Sequence, residues 1–87
     1  MPVIQYRYME KTNISPFEQW VIDKVRAMRI ERGLSQRQLA TIIDITSGFI
    51  GKVESTNERA KYNLDHLNMI AKAFECSPRD LLPAEPI

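Results

Sequence analysis

The chain holds one histidine, His66, and one cysteine, Cys76. A lone cysteine excludes an intramolecular disulfide, and the two side chains together fall short of the four protein ligands of a structural zinc site. They lie ten residues apart in sequence with no second histidine to complete a nucleophile–base pair. No glycine-rich phosphate loop occurs either. The expectation is therefore no catalytic residue, no metal and no cofactor, with Cys76 a small side chain at a helix end and His66 on a helix surface. What remains is the chemistry of hydrogen bonds and charge, and the informative stretch for it runs from Gln36 to Val53.

Those residues need elements to hold them. Ser15-Pro16-Phe17-Glu18 is a strong helix start: a capping hydroxyl, proline at the first helical position, and a glutamate three residues on. Phe17, Val21, Val25 and Met28 then recur at helical spacing with Trp20 beside them, and Gly33 stops the helix. Ser35-Gln36-Arg37-Gln38 repeats the capping pattern and opens a short second helix with Leu39, Ala40 and Ile43 inward. Asp44 interrupts it, and Thr46 caps a third helix over about 46–55 with Ile50 and Val53 buried. Thr56 to Tyr62 lacks apolar periodicity and reads as an exposed loop. Asn63 caps a fourth helix whose apolar face is Leu64, Leu67, Ile70, Ala71 and Phe74, and Ser77-Pro78-Arg79-Asp80 opens a brief fifth with Leu81 and Leu82.

Two short helices cross closely only if a small residue sits at the crossing and the turn tolerates an unusual backbone. Ala40 is that small residue, Leu39, Ile43, Ile45, Ile50 and Val53 fill the wedge, and Asp44 suits a left-handed turn. The fold class is thus all-α, with a helix-turn-helix at the second and third helices. The chain here resembles the phage lambda repressor and Cro family of helix-turn-helix domains, also called the xenobiotic-response-element type. The likeness runs from about Ser15 to Leu82. It rests on Gly33-Leu34-Ser35-Gln36 with Leu39-Ala40, on Phe49-Ile50-Gly51-Lys52-Val53-Glu54, and on Ile70-Ala71-Lys72-Ala73-Phe74 with Cys76-Ser77-Pro78 to Leu82.

The resemblance implies a compact five-helix domain that binds double-stranded operator DNA, usually as a symmetric dimer, with the third helix in the major groove. Gln36 matches the family's phosphate-clamping glutamine, or it simply opens a capped helix. Thr46, Ser47, Gly48 and Lys52 match base-facing positions. A lysine at 52 can reach guanine O6 or N7, or a phosphate, while Thr46 and Ser47 read equally as caps. Gly48 and Gly51 offer no side chain and each weakens a helix by roughly 1 kcal/mol relative to alanine. Phe49 can touch a thymine methyl or pack against the second helix. Arg29 and Glu54 match a pair that, by resemblance, forms a salt bridge supporting the recognition helix. Arg37, Arg59 and Lys61 flank the predicted DNA edge as phosphate candidates, although the loop carrying the last two is about two residues longer than the family's and lacks its common Asn-Gly turn.

At 87 residues, 44% hydrophobic and 26% charged, the chain has the length and composition of one small globular domain. No apolar run approaches the 18 residues of a membrane span and no secretory signal opens the chain, so a soluble cytoplasmic protein is expected. The net charge of +1 hides a division: Met1 to Pro16 contributes +1, Phe17 to Tyr62 +2 and Asn63 to Ile87 −2. The excess falls on the helices expected to meet DNA, and it is modest, so tight binding calls for a dimer or a partner. Residues 1–14, where Ile4, Tyr6 and Tyr8 alternate with polar residues, read as an extension that is strand-like or disordered; 15–82 is the domain, and 83–87 a proline-containing tail. Val3 to Met9, or Leu81, Leu82 and Ile87, are the candidate dimer surfaces. The leading expectation is a small transcriptional regulator, a repressor acting by occupancy. Its alternative is a protein-interaction module, such as an antitoxin-like partner of a toxin-like protein.

Overall fold

The computed structural model describes residues 14–55 and 57–87, which form four α-helices and a final 3-10 turn. In chain order these are α1 (Pro16–Glu31), α2 (Gln36–Ile42), α3 (Ser47–Glu54), α4 (Leu64–Phe74) and the turn Pro78–Leu81. The expected fifth helix is this four-residue turn, too short for an α-helical hydrogen-bond ladder to propagate. Val3 to Met9 lies outside the described residues.

Local chemistry sets the helix starts. Ser15 Oγ accepts from Glu18 N–H at 3.0 Å while Ser15 N–H donates back to Glu18 Oε1 at 2.9 Å. Ser35 and Gln38 repeat this exchange at 3.0 and 2.7 Å. At the start of α4 a histidine takes the glutamate's place: His66 N–H donates to Asn63 Oδ1 at 2.8 Å and Asn63 N–H donates to His66 Nδ1 at 3.0 Å. Each exchange satisfies backbone donors that a helix start otherwise leaves without partners.

Three helices end alike. Gly33, Asp44 and Glu75 sit in the left-handed region, with φ of 69°, 58° and 54°. Each turns the chain so that its own N–H and the next one return to carbonyls of the last turn, as when Gly33 N–H donates to Ile30 O and Leu34 N–H to Arg29 O, or Asp44 N–H to Thr41 O and Ile45 N–H to Ala40 O. Asp44 thereby makes the tight α2–α3 turn that the sequence suggests.

One core joins all these elements: Val25, Leu39, Ile50, Ile70 and Leu81 are fully buried, with Ile14, Val21, Ile22, Ala40, Ile43, Val53, Tyr62, Leu67, Ala71 and Phe74 around them. Burying a Leu or Ile side chain contributes about 1.5–3 kcal/mol, so this cluster is the main source of stability. Three sequence expectations are corrected. Ile14, read with the N-terminal extension, belongs to the core. Tyr62, read as part of an exposed loop, is buried. Leu64, read as core-facing, is 81% exposed, because the first residue of α4 projects outward before the helical face turns to the core at Leu67.

Candidate nucleic-acid interface

Alone α3, eight residues long and carrying two glycines, would be a marginal helix. Packing against α2 holds it, through Leu39, Ala40 and Ile43 on one side and Ile50 and Val53 on the other, all buried. Thr46 caps it, its Oγ1 accepting from Phe49 N–H at 3.3 Å. With its apolar side fixed inward, α3 turns Thr46, Ser47, Gly48 and Lys52 to solvent.

Behind this surface lies a polar node centred on Glu54, whose side chain is 3% exposed. Arg29 grips the carboxylate with two parallel bonds, Nε to Oε2 at 2.9 Å and Nη2 to Oε1 at 2.8 Å, and its Nη1 donates to Leu34 O at 2.6 Å. The bond to Glu54 outweighs the cost of burial and raises the Arg29 guanidinium above its ordinary value. Gln36 Nε2 donates to the same Oε1 at 3.0 Å. One carboxylate thus ties α3 to α1 and to the start of α2, and the expected Arg29–Glu54 pair is formed. Gln36, placed by sequence at the α2 N-terminus, arrives with its amide already oriented.

Gly51 acquires a reason from the same node. A β-carbon there would stand 3.3 Å from Gln36 Oε1, whereas one on Gly48 would meet nothing within 4 Å. Glycine at 51 leaves room for the Gln36 amide; glycine at 48 leaves the backbone open to solvent.

The remaining sequence-predicted residues are more dispersed. Arg37 and Arg59 are exposed. Lys61 Nζ pairs with Glu18 Oε2 at 2.9 Å, at the opposite end of α1 from the Glu54 node. Partial burial works to raise the Glu18 carboxyl, but the hydrogen bonds from Ser15 and Lys61 prevail and hold it below its ordinary value. Phe49 packs against the core and joins an aromatic cluster, its ring 4.8 Å from His66 and 6.1 Å from Tyr62 between centroids. His66 is accordingly half-buried rather than on the surface. The Tyr62 hydroxyl is buried without a hydrogen-bond partner. Burial, and secondarily the charge of Glu54, push this phenol well above its ordinary range.

Sequence reading missed Arg26, whose Nε lies 3.7 Å from Glu54 Oε1 with its side chain 55% exposed. The signal was present, since Arg26 precedes Arg29 by three residues and so shares its side of α1. Among the described residues no helix is long and apolar enough to cross a membrane.

Comparison with known proteins agrees with this architecture. No curated protein matches the chain. Among solved structures it is similar to the restriction-modification controller protein C.AhdI from Aeromonas hydrophila, at 27% identity and a TM-score of 0.64, over 72% of this chain and 92% of that one. The family of Cro/C1-type helix-turn-helix DNA-binding domains matches residues 24–86, which include α2, α3 and the Glu54 node. The chain belongs to that family and is a DNA-binding transcriptional regulator.

Proposed function

We propose that the chain represses transcription by occupying an operator as a symmetric dimer, with α3 in the major groove. The observation that carries this reading is the division of α3: Ile50 and Val53 lock one side into the core, Glu54 anchors the end, and Ser47, Gly48 and Lys52 remain exposed. Lys52 reaches guanine O6 or N7, or a neighbouring phosphate. Thr46 and Ser47 offer hydroxyls to the bases, and Gly48 lets the backbone approach closely. Gln36, Arg37 and Arg59 bind the DNA backbone; Lys61 contributes only by releasing Glu18. A DNA partner implies a cytoplasmic location.

The dimer surface we favour is an apolar groove of about 400 Å³ whose lining includes Phe17, Leu64 and Leu82. The tail contributes Leu82 but not Leu81, which is wholly buried. The exposure of Leu64 also favours a second reading, in which the groove takes a different protein, as an antitoxin-like module would.

Selection from randomised duplex DNA, followed by fluorescence anisotropy of the recovered sequences, tests the proposal. A site with two symmetric half-sites is expected. Lys52→Ala should change the preferred bases, and Gln36→Ala should weaken all sequences alike. Recovery of a single half-site bound by one copy would remove the dimer. No binding to any duplex at low salt would remove DNA reading itself, since the phosphate contribution should survive as non-specific affinity.

A further inference from the structure

We infer that Arg26 and Gln36, both drawn to the same carboxylate oxygen of Glu54, form one grip on a DNA phosphate at the junction of α1, α2 and α3. This rests on the DNA-binding reading above and adds to it a residue and a mechanism of positioning. Glu54 carries one negative charge but faces two guanidinium groups. Arg29 takes up that charge: its two bonds to Glu54 and one to Leu34 O commit three of its five N–H groups, and its side chain is only 10% exposed. It is a structural cation, enclosed before any ligand arrives.

Arg26 differs on every count. Its Nε stands 3.7 Å from Glu54 Oε1, beyond hydrogen-bond range, and it makes no hydrogen bond among the described residues. The attraction of Glu54 orients the group while its outer N–H groups remain in water, so one positive charge is left uncompensated at the rim. Gln36 donates one amide N–H to the same Oε1, and an amide has two. Both groups lie within 3.7 Å of one oxygen, close enough to converge on one phosphate. A planar guanidinium matches two phosphate oxygens at once, and the amide supplies a third donor. Glu54 touches no DNA in this arrangement; it is a positioning residue for both donors.

The experiment is fluorescence anisotropy of the full chain on two duplexes of equal length, one carrying the selected site and one of random sequence, over a range of salt. Arg26→Gln should weaken binding to both about 5–20-fold at low salt, leave their ratio unchanged, and reduce the slope of log K against log salt by about 1 per protomer. Arg26→Lys should restore the slope but not the full affinity, because it returns the charge without the fork. The double variant with Gln36→Ala should lose less than the product of the two single losses. The melting temperature of the free protein should not change. Three results would overturn the grip: unchanged affinity and slope in Arg26→Gln, a changed ratio between the duplexes, or a fall in melting temperature that accounts for the lost affinity. Failure of the unsubstituted chain to bind either duplex would remove the DNA reading and the grip with it, whereas binding that is indifferent to Arg26 removes the grip alone.

Discussion

At its C-terminal end α3 closes on a carboxylate held by Arg29 and Gln36 with Arg26 nearby, whereas its N-terminal end rests on Phe49, whose N–H donates to Thr46 Oγ1 at 3.3 Å and Thr46 O at 3.1 Å and whose ring meets Tyr62 and His66. The rear is fixed by charge and directional bonds. The front, carrying Ser47 and Gly48, is fixed by less and faces solvent. A reading helix of this kind gains its orientation from the scaffold behind it, and the end nearest its ligand keeps latitude to adjust.

Breaking the rear should have the largest effect. Glu54→Ala leaves the Arg29 guanidinium buried without its partner, and such uncompensated charges cost about 3–5 kcal/mol. Urea unfolding should show a loss of that size; a loss under about 1 kcal/mol would mean that α3 is held by its apolar side alone. A smaller change of opposite sign should come from the front. Tyr62→Phe removes a buried hydroxyl without a partner from beneath Phe49 and should stabilise the domain by about 1 kcal/mol. It should also alter the alkaline limb. Because the folded phenol is raised above its ordinary value of 10.0, its contribution is whole below pH 10 and is lost at higher pH, where the unfolded chain ionises first. Melting temperatures measured on both sides of pH 10 should show a shallower decline in Tyr62→Phe. A destabilised variant would instead show that the hydroxyl has a partner.

The smallest test sharpens the contrast within α3 itself. Gly48→Ala meets no neighbour and should gain about 0.5–1 kcal/mol from helix propensity alone. Gly51→Ala should gain less, since its methyl presses on the Gln36 amide at 3.3 Å, and it should weaken DNA binding by displacing that amide. Chemical denaturation and anisotropy on the same samples check both. Equal gains with equal affinity would mean that Gly51 serves no purpose toward Gln36.

What the sequence revealed follows from the range of each interaction. Caps are contacts between residues three apart, and Ser15 with Glu18 and Ser35 with Gln38 were legible for that reason. The turn at Asp44 was readable because few residue types enter the left-handed region. Resemblance supplied the Arg29–Glu54 pair, which spacing alone could not, since its partners are 25 residues apart. The aromatic cluster escaped because Tyr62 precedes the periodic part of α4, and no local pattern says that it folds under Phe49. His66 capping α4 was hidden behind a rule that looks for glutamate or glutamine at that position. The service of Gly51 to Gln36 lies wholly in the space between two helices, where sequence periodicity is silent.

Ile14 and Leu81, which bracket all four helices, are buried in one and the same core. Displacing either Ile14 or Leu81 is then not a local event, because it opens the interior rather than a surface turn. Amide exchange should accordingly have few slow sub-global steps to report. A domain closed in this way is expected to unfold as one cooperative unit, with opening at Ile14 or Leu81 set by global rather than local stability.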